Sequence, residues 1–455
     1  MQRFRIFLSF AIISFLIFNF TCASAKASED DKIIVSLSSA IHSALSSNPM
    51  MMAAKSRTKA SGERIAQARS GMLPQVYITE SYQRTNNPMW VFATKLNQGV
   101  ITQDDFATDF LNDPSSIENF NSRLWVDWPI FDGGRTLYGW RQANIGKMSS
   151  DAALVRTRQE VISQTIDAYT SLLLAKRNIT VIEQTIETAK THLKTINKRF
   201  ENGMVVKSDV LRAKVHLAEL DQAHVIAKSN AAVARATLNN VMGQSTDQAI
   251  STTTKLSKTR MAIPELLVLI DQAIKNRPDL KQIDFLVQMA ESEIDKEKSG
   301  HWPSFNLNGS YELNSEKFDE TADNYTIGAN VTLNLFSGYR ISSKAREALY
   351  KRNESKSQKK GMYQRVRLET EKAYYDLLSA DKRITTSELA IDNAEEMLRI
   401  VENRYATGLV NIVSLLDAEL ALYRANNNYY NSLKDYVQAR AHLALATGGL
   451  DEHFQ

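Results

Sequence analysis

Two periods of hydrophobic placement divide this 455-residue chain. Ile179, Ile182, Ile186, Ala189, Leu193, Ile196 and Phe200 step by threes and fours, the seam of a helix packed lengthwise on another. The same steps recur at Ile384, Ser387, Ile391, Ala394, Leu398, Val401 and Tyr405. Elsewhere the period is two. Phe305, Leu307, Gly309, Tyr311 and Leu313 alternate with Ser304, Asn306, Asn308, Ser310 and Glu312. Tyr325, Ile327, Ala329, Val331, Leu333 and Leu335 alternate with Thr326, Gly328, Asn330, Thr332 and Asn334. Runs of about 11 residues with one apolar and one polar face have the length and pattern of tilted membrane strands. Strands are predicted over 74–84, 123–131, 304–314 and 325–335, with Leu124, Val126, Trp128 and Ile130 on one face of the second.

Proline placement sets how long the helices can be. The eight prolines stand at 49, 74, 88, 114, 129, 264, 278 and 303, so 130–263 and everything after 303 are free of them. A proline inside a helix costs about 3 kcal/mol. A helix over 135–200 would be about 100 Å long at about 1.5 Å per residue, followed by a return helix over 209–242. The second copy of this hairpin returns over 413–447. Arg199 and Arg404 fall in last turns, where a cation suits the helix dipole, and Gly203 and Gly408 follow as turn glycines.

The chain is a tandem duplication. Asn48-Pro49, Leu73-Pro74 and Tyr82 recur 229 residues on as Arg277-Pro278, Trp302-Pro303 and Tyr311. Phe131, Arg135, Ala168-Tyr169, Leu172, Ala175, Arg199, Gly203 and Gly243 recur 205 residues on as Phe336, Arg340, Ala373-Tyr374, Leu377, Ala380, Arg404, Gly408 and Gly448. The change of offset gives the first copy 24 extra residues between Tyr82 and Phe131. The copies run over 28–243 and 263–448, followed by a tail at 449–455. Between them lies a linker or partly ordered belt over 244–262, with eight of its nineteen residues Ser or Thr.

Arg3 and Arg5, the uncharged run Ile6–Phe20 and Ala23-Ser24-Ala25 make 1–25 a cleavable export signal. Cleavage is expected to leave Lys26 first, or Ser28 if the cut follows Ala27. The alternative is an uncleaved anchor, for which the run is short of the about 20 residues needed. The one cysteine, Cys22, precedes the cut, so the mature chain is expected to hold no disulfide and no thiolate site.

Charge is balanced at 55 basic against 51 acidic residues, which argues against a nucleic-acid partner. The seven histidines (42, 192, 216, 224, 301, 442, 453) show no metal-ligand spacing, and no glycine-rich phosphate loop is present. The reading is of no enzyme, no cofactor and no metal. Four strands leave two open edges, which a bilayer forbids. Two chains would give eight strands and a nearly filled interior; three would give twelve and a lumen. Four of the five tryptophans (Trp90, Trp125, Trp128, Trp302) lie in or beside the strands, as an aromatic girdle requires. The rival architecture is a soluble sheet on a periplasmic or surface coiled-coil scaffold.

The ordered pieces resemble the TolC family of outer-membrane efflux and secretion channels across essentially the whole mature chain. They are Asn48-Pro49, Leu73-Pro74, Phe131-Asp132-Gly133-Gly134-Arg135, the Arg199-Phe200…Gly203…Asp209 and Arg404-Tyr405…Gly408…Asp417 turns, and the loop from Asn87-Pro88-Met89-Trp90 to Gly99. The resemblance implies an α+β membrane protein, a homotrimer in which a twelve-stranded outer-membrane barrel in contact with lipid continues into a long periplasmic helical barrel. It implies a periplasmic adaptor and an inner-membrane transporter as partners in efflux or type I secretion. Ser208, Asp209 and Tyr405 match positions whose hydrogen bonds hold the inner end shut, and Asp417 matches an acidic residue of the narrowest pore. Val410 stands where an arginine often completes the latch, and Ser414 where a second acidic residue often sits. From the residues alone, Ser208, Asp209 and Asp417 are equally helix-start residues and Tyr405 a core position.

Overall fold

The structure is a computed structural model and describes residues 33–254, 256–258, 262–317 and 320–450. The export signal, Cys22 and the predicted cleavage points lie outside the described residues, as do the last five of the chain. The first copy runs β1 (Ile33–Val35), α1 (Leu37–Ser47), α2 (Pro49–Ser70), β2 (Gln75–Thr85), α3 (Pro88–Asn97), α4 (Thr108–Asn112), β3 (Ile117–Asp132), α5 (Arg135–Glu201) and α6 (Lys207–Val241). The linker holds β4 (Ile250–Thr252). The second copy runs α7 (Leu266–Asn276), α8 (Pro278–Lys298), β5 (Ser304–Ser315), β6 (Ala322–Thr332), α9 (Arg340–Ala406) and α10 (Ile412–Thr447).

The duplication is visible element by element. Both long helices, α5 and α9, have 67 residues. The 24 extra residues of the first copy are the outer loop that carries α3 and α4. Asn48 caps α2 through a bond from Met50 N–H (2.8 Å) and donates its amide to the Val241 carbonyl at the end of α6 (2.7 Å). Its counterpart Arg277 is 1% exposed, pairs with Asp279 (2.5 Å) and Glu369 (2.6 Å), and reaches the Ala446 carbonyl at the end of α10. Each copy thus pins its short helix to the end of its return helix. The approach requires glycine there: a Cβ on Gly243 would lie 2.3 Å from the Ser47 carbonyl oxygen, and Gly243 has φ +71°. The linker is ordered enough for β4 to pair in parallel with β1, and Tyr169 from α5 donates its hydroxyl to the Val35 carbonyl (3.0 Å).

The four longer strands form one antiparallel sheet in the order β2-β3-β5-β6. Val76, Ile78, Leu124, Trp128, Tyr311, Tyr325, Ile327 and Val331 leave one face apolar and uncovered, with Ile78 82% and Ile327 81% exposed. The opposite face is largely polar, interrupted by Tyr77 stacked on Trp125. Asn119 and Asn121 donate to Asn314 (2.9 and 3.0 Å), Arg123 pairs with Glu312 (3.2 Å), and Asn306 donates to Asp127 (2.5 Å). Pro129, which has no N–H to give, lies at the register shift between β3 and β5.

Two strand boundaries differ from those read in the sequence. β3 begins at Ile117, not near 123, because 117–122 pair with 80–85 of β2 although their side chains do not alternate cleanly. β6 covers 322–332 rather than 325–335: Thr332 pairs with Ser304, the first residue of β5, so Leu333 and Leu335 have no strand to pair with. At the strand-to-helix turn Gly133 and Gly134 have φ of +71° and +87°, and a Cβ on Gly133 would meet the Ser299 carbonyl oxygen at 2.4 Å. In the second copy the equivalent of Gly134 is Tyr339, held at φ 63° with its ring edge-on to Phe336.

Among the described residues, no helix is long and apolar enough to cross a membrane. The tall end of the molecule is the pair of hairpins, each about 100 Å of helix going out from the sheet.

Candidate gate at the hairpin tips

Both tips turn by the same backbone chemistry. After α5, Met204 N–H bonds the Arg199 carbonyl (2.8 Å) around Gly203, whose φ is +72°. After α9, Leu409 N–H bonds the Arg404 carbonyl (2.9 Å) around Gly408, at φ +76°. This wraps up the carbonyls left free at each helix end. Asn411 then caps α10 by accepting from Ser414 N–H (3.1 Å).

The two tips are joined in one apolar cluster: Ile196, Val210 and Ala213 from the first hairpin pack with Tyr405, Ile412 and Leu415 from the second. Arg199 crosses between them. Its guanidinium donates to the carbonyls of Tyr405 (2.8 Å) and Ala406, and lies 5.2 Å from the centre of the Tyr405 ring. One cation thus caps the end of a helix in the other hairpin, where the dipole favours it. The repeat-related Arg404 is exposed.

Of the four pore or gate residues read from the sequence, Tyr405 and Asp209 come together. Tyr405 is 6% exposed. Burial raises its hydroxyl's pKa; Arg199 acts to lower it and the Asp209 charge to raise it. The hydroxyl has no hydrogen-bond partner among the described residues. Ser208 is exposed, and the cap residue of α6 is Val206, so neither Ser208 nor Asp209 caps that helix with its side chain. Asp417 is exposed on α10.

The buried carboxylate of this region is Glu419, two residues further on and 3% exposed. His216 of α6 is hydrogen-bonded to its Oε2 (3.1 Å). His192 of α5 brings Nε2 within 3.1 Å of Oε1 and within 3.3 Å of Glu402 on α9. Higher up, His224 meets Glu183 (3.1 Å) and His442 meets Asp167 (2.9 Å). Four of the histidines that looked scattered are therefore paired with carboxylates across helices. A signal for Glu419 was present: Ile412, Leu415, Glu419 and Leu422 step by three and four, which puts a charge on a seam position. Among the described residues, no group of His, Cys, Asp and Glu is arranged to hold a metal ion.

The fold places a sheet with one apolar and one largely polar face at one end of two helical hairpins, and tips that are braced to each other at the other end. The family model of outer membrane efflux proteins matches residues 40–244 and 269–449. The chain belongs to that family, which is made of channel proteins. It is 23% identical over 431 residues to the alkaline protease secretion protein AprF of Pseudomonas aeruginosa, covering 93% of this chain and 86% of that protein. It is 23% identical to the outer membrane protein TolC of Vibrio cholerae, covering 89% of each. Among solved structures, the CmeC outer membrane channel of Campylobacter jejuni superposes with a TM-score of 0.79 at 18% identity, over 91% of this chain and 86% of that one.

Proposed function

We propose that the protein is the outer-membrane exit channel of a tripartite efflux or type I secretion system. In this reading it is a passive homotrimeric conduit that partner proteins open at its periplasmic end. The observation that carries the reading is the sheet. It has an apolar face, a largely polar face and two edge strands, β2 and β6, whose outer edges pair with nothing among the described residues. In a bilayer such edges must be closed, and three copies give twelve strands around a lumen. The helices support the same assembly. Leu211, Val215, Val225 and Val233 on α6 and Leu368, Tyr375 and Leu389 on α9 stay uncovered in the single chain, and neighbouring copies would cover them.

In the trimer the tips would ring the inner mouth, with Asp417 and Asp209 supplying its charge and Ser208 and Tyr405 contributing bonds between chains. The adaptor and the inner-membrane transporter would bind at that end and supply the energy. The helical hairpins would then lie in the periplasm, after removal of residues 1–25. The test is native mass spectrometry of the protein extracted in detergent, joined to planar-bilayer recording. A trimer that conducts is expected. A protein released by washing membranes without detergent, or a stable monomer in detergent, would instead be a coiled-coil scaffold.

A further inference from the structure

The two hairpins of one chain are braced through a buried proton-binding cluster. Glu419 on α10 is enclosed between His192 of α5 and His216 of α6, so that a carboxylate of the second hairpin is held by imidazoles of the first. The bracing is incomplete as a set of neutral hydrogen bonds. His216 takes Oε2, but His192 Nε2 and Glu419 Oε1, though 3.1 Å apart, are misaligned and both lack a hydrogen-bond partner. A buried carboxylate with an unpaired oxygen is costly, and a buried cation beside it removes that cost. His192 also lies 3.3 Å from Glu402, so a proton on its ring would meet two carboxylates at once. The other charged groups of the region do not substitute for that proton. Glu395 on α9 lines the same groove and adds negative charge. Arg177, further along the groove, is engaged with Tyr430, and Arg199, toward the tip, with the carbonyls of α9. His224 on α6 is turned to Glu183.

We propose that His192, His216 and Glu419 form a pH-dependent tie between the two hairpins, strengthened by protonation and slackened as the pH rises. The ligand is a proton rather than a metal, because the two imidazoles approach separate oxygens and no metal-holding arrangement is present among the described residues. Histidine is the side chain whose ordinary charge change falls between about pH 5 and 8. The sign follows from the geometry: a protonated ring donates a charge-assisted hydrogen bond to a carboxylate that it faces, so the tie is stronger toward the acid end of that window and weaker toward the alkaline end. A charge-assisted hydrogen bond is roughly twice as strong as a neutral one, so the ratio of tied to released chains should change about tenfold across the window. The effect on transport rests on the conduit reading; the tie itself does not.

The test uses the full mature chain with spin labels on Met204→Cys and Leu409→Cys, exposed positions at the two tips. Labelled chains are assembled with an excess of unlabelled chain, so that distances within one chain dominate. Between pH 5.5 and 8 the distance distribution should broaden and lengthen, and the double variant His192→Gln/His216→Gln should show no such change. Glu419→Gln is the second variant and should be equally insensitive. An unchanged wild-type distribution at the two pH values, or a pH response that survives in the variants, overturns the tie. Bilayer currents recorded on the same preparations separate the two ideas. Labels that respond in a protein that passes no current leave the tie standing and remove the conduit. Current through a protein whose labels do not respond does the reverse.

Discussion

Arg199 is the sharpest test of how the tips are held. Replacing it with Gln removes the cation while keeping a side chain of moderate length, and it takes away two donated bonds to the Tyr405 and Ala406 carbonyls together with the contact to the Tyr405 ring. Hydrogen bonds from a charged group contribute about 1.5–3 kcal/mol each, and a half-exposed cation–π contact about 0.5–1 kcal/mol. The guanidinium is only partly buried and regains water when released, so the net loss is about 2–3 kcal/mol rather than the sum. At about 1.36 kcal/mol per decade this shifts the closed-to-open ratio about 30- to 150-fold in each chain. Single-channel recording in planar bilayers should show a higher open probability and larger conductance for Arg199→Gln. Arg199→Lys should fall between, because it keeps the charge and loses the planar fork. Arg404→Gln, its exposed counterpart in the second copy, should change little. If Arg199→Gln conducts like the wild type, the cross-hairpin bonds do not hold the mouth.

The proposed pore charge is tested by Asp417→Asn and by the Asp209/Asp417 double replacement. Reversal potentials under a salt gradient should lose cation preference, since charges in a constriction interact far more strongly than in open water. Arg277→Ala leaves Asp279 with only the Leu280 N–H bond and the more distant Arg156, while the half-exposed Glu369 regains water, so it should cost about 3 kcal/mol, read as a lowered thermal midpoint in detergent. Burial opposes ionisation of Asp279, but its bond to Arg277 outweighs this and holds the carboxyl below the usual carboxylate range. Its contribution is therefore present at neutral pH and lost as the pH falls through that range, which acid titration of unfolding should show. His442 has the opposite sign: the bond to Asp167 raises its pKa against the effect of burial, so its contribution is full at acid pH and fades above the ordinary histidine range. Gly243→Ala should lower the thermal midpoint, because a Cβ would strike the Ser47 carbonyl and the backbone there is left-handed.

The long helices, their turns and the duplication were legible because each rests on local chemistry. Proline-free stretches, three-four spacing and Gly203 and Gly408 fix α5, α6, α9 and α10 without reference to distant residues. The strands were legible where side chains alternate, and the start of β3 was not, because residues 117–122 are held by pairing with β2 rather than by a pattern of their own. Near the hairpin tips, the sequence singled out Asp417, while the packing buries Glu419. Two residues apart on a helix is about 200° of rotation, so the two carboxylates face nearly opposite ways. Only the docking of α10 on α5 and α6 decides which is enclosed. Arg199 was legible as a cation at a helix end; that the end it caps belongs to the other hairpin depends on the register between hairpins.

The unpaired edges of β2 and β6 also set the order of events in the life of the chain. In the proposed trimer the last backbone hydrogen bonds of the barrel would be intermolecular, so a lone chain would have no finished state to reach. Maturation then carries a step whose rate rises with the concentration of unassembled chains, and slow delivery prolongs the time during which two sticky edges face other proteins. A change on either edge strand should therefore register first as poor yield, well before it alters the channel that does form.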